Sequence, residues 1–153
     1  MKRTLRMKAG FTLIEILVVI GILAILAAAV LIAVNPARQF AQARDSQRAT
    51  HVNAILNAIG QNIADNKGIF TCAGSALPAT AAVMNSSGDP GTYDIAACLE
   101  PTYISQMPID PVDGAYIDTT DYDSDYTVMQ DATTKRITIS ADGEVAGTIS
   151  VTR

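Results

Sequence analysis

The residues with chemistry to do stand at the start of the chain. Lys2, Arg3, Arg6 and Lys8 precede Gly10-Phe11-Thr12-Leu13-Ile14-Glu15, and a charge-free apolar run follows from Ile16 to Val34. A carboxylate inside a bilayer-length helix costs about 2.5–3.5 kcal/mol even on insertion scales. Glu15 therefore implies a partner to meet. Cys72 and Cys98 are the only cysteines and lie beyond the apolar run. An even cysteine count on an exported segment points to one disulfide, against the alternative of two buried thiols. A closed loop of that span would contribute about 3.5 kcal/mol in the chain-entropy treatment. Asp121, Asp123 and Asp125 alternate, so on a strand their carboxylates share one face and repel unless an ion or solvent intervenes. Tyr126 and Ala132 stand where an EF-hand needs its glycine and its bidentate glutamate, which rejects that loop. What remains is a looser calcium site or a solvated acidic surface.

Other chemistry is scarce. His51 is the single histidine, expected as an exposed helix residue, and with two cysteines it makes a poor zinc set. No Ser-His-Asp constellation or phosphate-binding glycine loop is present, so the chain reads as no enzyme. Residues 68–153 hold three basic groups against twelve acidic ones. That imbalance argues against direct nucleic-acid binding, which needs a basic footprint.

The elements that must carry these residues follow from periodicity. Residues 11–34 are long enough to cross a hydrocarbon core, and the basic leader sets the N-terminus in the cytoplasm. A secretory signal cut near Ala27-Ala28-Ala29 is the competing reading. Glu15 inside the run, and the apolar stretch continuing to Val34, count against it. Helix is expected to continue to Lys67, with Asn35-Pro36 as an interruption, because proline removes a backbone bond and clashes with the preceding turn. Val52, Ile55, Leu56, Ile59 and Ile63 form one apolar stripe, and Gly68 supplies a left-handed stop. Residues 68–107 read as an irregular loop stapled by the cysteines. Strands are expected at 126–129, 136–140 and 144–151, separated by turns at 131–135 and Asp142-Gly143. The fold class is α+β: a long N-terminal helix, half transmembrane and half amphipathic, packed on a small antiparallel sheet.

The run Lys8-Ala9-Gly10-Phe11-Thr12-Leu13-Ile14-Glu15 ahead of an apolar helix resembles the class III signal of type IV pilins and major pseudopilins of type II secretion systems. Leu99, Tyr103-Ile104, Pro108, Asp110-Pro111, Gly114 and Tyr116 are similar, more weakly, to the loop-to-sheet segment of that family. The resemblance implies a leader at 1–10, a filament-core helix at 11–35, an amphipathic half-helix at 36–67, a stapled loop at 68–107 and a sheet at 108–153. It implies cleavage between Gly10 and Phe11 by a prepilin peptidase, usually with N-methylation of Phe11. Glu15 would then meet the new Phe11 ammonium of a neighbouring copy, or that of its own chain one helical turn away. The implied partners are other copies, minor pilins, an assembly platform with its ATPase, and the inner membrane before assembly. No cofactor is implied beyond calcium in the head of major pseudopilins, for which Asp121, Asp123 and Asp125 are the candidates here. One departure stands out: many relatives place a helix-breaking proline where this chain has Ile32, whereas its own proline is Pro36. The functional readings are a subunit of an extracellular pilus, a secretion-system pseudopilin, or a single-span anchored binding protein that never polymerises.

Overall fold

The computed structural model describes residues 10–72 and 76–153, so the leader charges Lys2, Arg3, Arg6 and Lys8 lie outside the described residues. The chain divides into two compact units, one ending at Gln39 and one from Phe40 to Arg153.

The first unit is built on helix α1, Leu13–Val34. Helix begins two residues later than periodicity suggests, because Thr12 is extended (ψ 151°) and caps it. No α1 residue is buried, and Ile16, Leu23, Leu31 and Ile32 stand open on all sides. A helix apolar all round belongs in a membrane or among other helices. The break falls at Asn35 (φ 44°) rather than at the proline. Asn tolerates left-handed backbone, and Pro36 takes the first position of helix α2, Pro36–Asp65, where its missing N–H costs nothing. Helix runs unbroken through Ile32.

In the second unit α2 lies along an antiparallel sheet. The strands are β1 (Ala82–Asn85), β2 (Ala115–Asp118), β3 (Asp121–Gln130), β4 (Ile137–Asp142) and β5 (Thr148–Thr152). A short helix α3, Ala96–Leu99, precedes β2. The order is β1-β3-β4-β5. Asp123 pairs with Asn85 of β1 and also with Ala115 of β2, so β2 lies on the β4 side of β3, beyond the end of β4. The core joins Val52, Ile55, Leu56 and Ile59 of α2 to Tyr126, Val128 and Ile139 of the sheet. The expected stripe is therefore the buried one, with Ile63 only partly covered.

Three expectations need correction. Residues 68–107 are not wholly irregular: β1 pairs along β3, though Ala82-Val83-Met84-Asn85 is too short to show a period. The left-handed stop of α2 is shared, with Lys67 (φ 59°) preceding Gly68 (φ 89°), while the Gly68 amide reaches back to the Ile63 carbonyl (2.8 Å). Residues 144–147 form a turn instead of the start of a strand, for a reason that lies on α2.

Candidate functional site

At the N-terminal element Thr12 and Glu15 form a reciprocal cap. The Glu15 carboxylate accepts from the Thr12 amide and hydroxyl (both 2.9 Å), and the Thr12 hydroxyl accepts from the Glu15 amide (3.3 Å). This satisfies donors that a helix start otherwise leaves open. Glu15 thus has a local partner at Thr12, one that the spacing of Phe11 and Glu15 did not suggest. Gly10 and Phe11 precede the helix and are exposed. A methyl group built on Gly10 would meet nothing within 4 Å, so packing does not demand glycine there.

Within the head, a charged cluster that sequence reasoning missed ties three segments together. Arg48 is buried on α2. It donates to Asp110 through Nε (2.6 Å) and Nη2 (3.0 Å), and through Nη1 to Asp45 and Glu144 (both 2.9 Å). Arg44 closes the cluster on Glu144. The Asp45 carboxylate also accepts from the amides of Glu144, Val145 and Ala146 at 2.8–3.0 Å. Those amides would otherwise serve a strand, which is why β5 starts only at Thr148. A methyl group on Gly143 would come within 2.4 Å of the Gly147 carbonyl, so this turn admits only glycine there. The sequence did hold a signal: Asp45 and Arg48 continue the Val52–Ile59 stripe in phase, and charged residues in an apolar phase imply paired burial.

The electrostatics follow the contacts. Bonds from Arg44, then Arg48, hold the Glu144 carboxyl at about 2. The Glu144 amide leads the groups that hold Asp45 well below the usual carboxylate range. Burial works against the Asp110 charge, yet Arg48 and the Val112 and Asp113 amides keep its pKa low. Bonding to Asp110 raises Arg48 further. His51 is half-buried rather than open: its Nδ1 lies 2.9 Å from the Tyr126 hydroxyl, which also donates to the Ile109 carbonyl. Tyr122 ties α3 down, its hydroxyl accepting from the Ile95 and Ala96 amides and donating to Asp94. Cys72 and Cys98 are bridged, with Cα atoms 5.2 Å apart.

The acidic strand start is arranged differently from expectation. Asp121, Asp123 and Asp125 share the outer face of β3, but the close carboxylate group among the described residues is Asp110, Asp113 and Asp125. Asp110 is already the counter-ion of Arg48, with its Oδ1 also bonded to the Val112 and Asp113 amides. Asp113 and Asp125 alone fall far short of the six to eight oxygens calcium takes. The donor set does not fit a calcium centre unaided. Burial, then repulsion from Asp110, Asp113, Asp123 and Asp142, raises the Asp125 pKa.

Comparison with family profiles matches residues 5–31 to the prokaryotic N-terminal methylation motif. Neither curated proteins nor solved structures give a significant match. The motif covers the junction at Gly10, the Thr12–Glu15 cap and most of α1, and the head adds a disulfide-bridged antiparallel sheet lined by α2. The likeness to known proteins is thus the N-terminal methylation motif, a mark of proteins made with a processed leader, and the head beyond it is defined by its own structure.

Proposed function

We propose that the chain is a structural subunit of an extracellular type IV pilus, cut between Gly10 and Phe11, methylated at Phe11, and assembled by bundling of α1. One observation carries this reading: a 22-residue apolar helix with no buried residue and a single carboxylate at its mouth. Before assembly the bilayer covers that surface; in a fibre, α1 helices of other copies do. Glycine at position 10 has no packing role, consistent with selection by a peptidase that needs a bare backbone. In a dry bundle the Phe11 ammonium of an incoming copy would draw Glu15 away from Thr12. Low dielectric makes an unpaired carboxylate expensive there, so the pair acts as a register device.

Shearing cells and following the protein tests the reading. Long external fibres are expected. A membrane pool with secretion defects would instead identify a type II secretion pseudopilin. Retention as a monomer, indifferent to Glu15→Ala, would identify a non-polymerising anchored protein. Mass spectrometry of native material should show Phe11 first, carrying a methyl group, with the Cys72–Cys98 bridge intact.

A further inference from the structure

The charges of the head are sorted to its two ends. Strand β3 runs from Asp121 to Gln130. At its first end lie Asp113, Asp118, Asp121, Asp123, Asp125 and Asp142, none with an ion-pair partner among the described residues. At its far end Ile137 pairs with Arg153, which places Lys135, Arg136 and Arg153 at the same end of the sheet. Gly68, next to Lys67, lines the same groove as Lys135. Lys67, Lys135, Arg136 and Arg153 likewise lack an ion-pair partner among the described residues. Asp131 and Asp65 temper that end without reversing it. Helix α2 runs alongside from one end to the other, since Asp45 holds Glu144 and Asn57 accepts from Arg153.

We infer that these two ends are the complementary halves of one contact between copies of this chain. The Asp118–Asp121 turn and Asp123 of one head receive Lys135, Arg136 and Arg153 of the next. The inference rests on the polymer reading and extends it from α1 to the head. Joining unlike ends is a heterologous contact, which propagates into an open filament, whereas like ends repel and forbid a closed pair. Asp110, Asp113 and Asp125 lie close together at the acidic end, and the basic end of another copy offers the counter-charge. Exposed Ile117 on β2 gives the acidic end an apolar side chain, as a specific contact with a polar rim requires.

Charge exchange in the full-length chain tests this. Lys135→Glu with Arg136→Glu should lower fibre yield by about tenfold, and so should Asp118→Lys with Asp121→Lys. Combining all four should restore most of the yield. Unchanged yield in either pair, or no recovery in the combination, overturns the contact. Loss on the acidic side alone, without recovery, would assign that end to a bound cation instead. Independently, fibres of Asp121→Cys/Lys135→Cys treated with a bismaleimide should give a ladder of multimers that neither single variant gives. Fibres that form normally but give no ladder overturn the contact and leave the polymer reading standing. An unaltered chain that makes no fibres overturns both.

Discussion

Arg48 is the residue on which the head depends. Its guanidinium faces Asp110, Asp45 and Glu144 with almost no access to water, and every buried polar side-chain atom among the described residues has a partner. Removing one member of such a set leaves buried charge without compensation, typically worth 3–5 kcal/mol. Arg48→Met should therefore destabilise the head by about that amount in denaturant titration of the detergent-solubilised protein. Arg48→Lys should rescue only part, because an ammonium cannot reproduce the fork onto Asp110. The same cluster sets an acid limit. Asp45, Asp110 and Glu144 all bind protons less readily folded than their ordinary values of 3.8, 3.8 and 4.5 imply. Their contribution is complete above those values and is lost as pH falls through the folded ones. Melting temperature should be flat near neutrality and fall between about pH 4 and 2, the lower bound being that of Glu144. Asp125→Asn, by contrast, relieves repulsion and should stabilise by no more than about 1 kcal/mol at this exposed position.

Among the elements, β5 is a sheet edge left open. Gly143 pairs with Gly147 and Ile137 with Arg153 through backbone bonds, so by alternation Ile149 and Val151 turn their amides to β4. Thr148, Ser150 and Thr152 turn theirs outward. Hydrogen exchange on the monomer should show fast amides at those three positions and protected ones at Ile149 and Val151. The opposite edge differs, since β1 is flanked by Gly91–Tyr93 through bonds at Val83. The Cys72–Cys98 bridge anchors the segment between α2 and β2, and Asn62 grips Thr71 beside it. Replacing both cysteines with serine should cost about 3.5 kcal/mol, read as a lower denaturation midpoint. Of this architecture, α1 was legible from its unbroken apolar run and the buried stripe of α2 from its period. β1 was not, because four residues carry no period, and α3 was hidden for the same reason.

For the whole molecule, the two units answer to different surroundings. Unit one has no buried residue in α1, and on the proposed reading lipid or other copies cover it. Unit two holds the hydrophobic core, with every buried polar side-chain atom among the described residues partnered. Glu15→Ala should consequently leave the melting of the head unchanged while lowering fibre yield. Thr12 makes the stricter test: Thr12→Val removes the hydroxyl of the cap but not the carboxylate. If the neighbour's ammonium is the partner that matters, fibres should survive that change while Glu15→Ala abolishes them.

The linear order of residues was enough to determine the N-terminal element, since a basic leader, a glycine, a lone glutamate and an unbroken apolar run are local and have few physical solutions. It also indicated that α2 buries the Val52–Ile59 face and favoured pairing of the two cysteines over two buried thiols, and the fold bears out both. Tertiary structure alone decided which charges meet. Asp45 reaches Glu144 across 99 positions and Arg48 reaches Asp110 across 62, and no short-range pattern encodes such partners. It also brought Asp110 and Asp113 up to Asp125 at the start of β3. A carboxylate's role depends on what it faces once the chain has closed, and only the folded chain sets that.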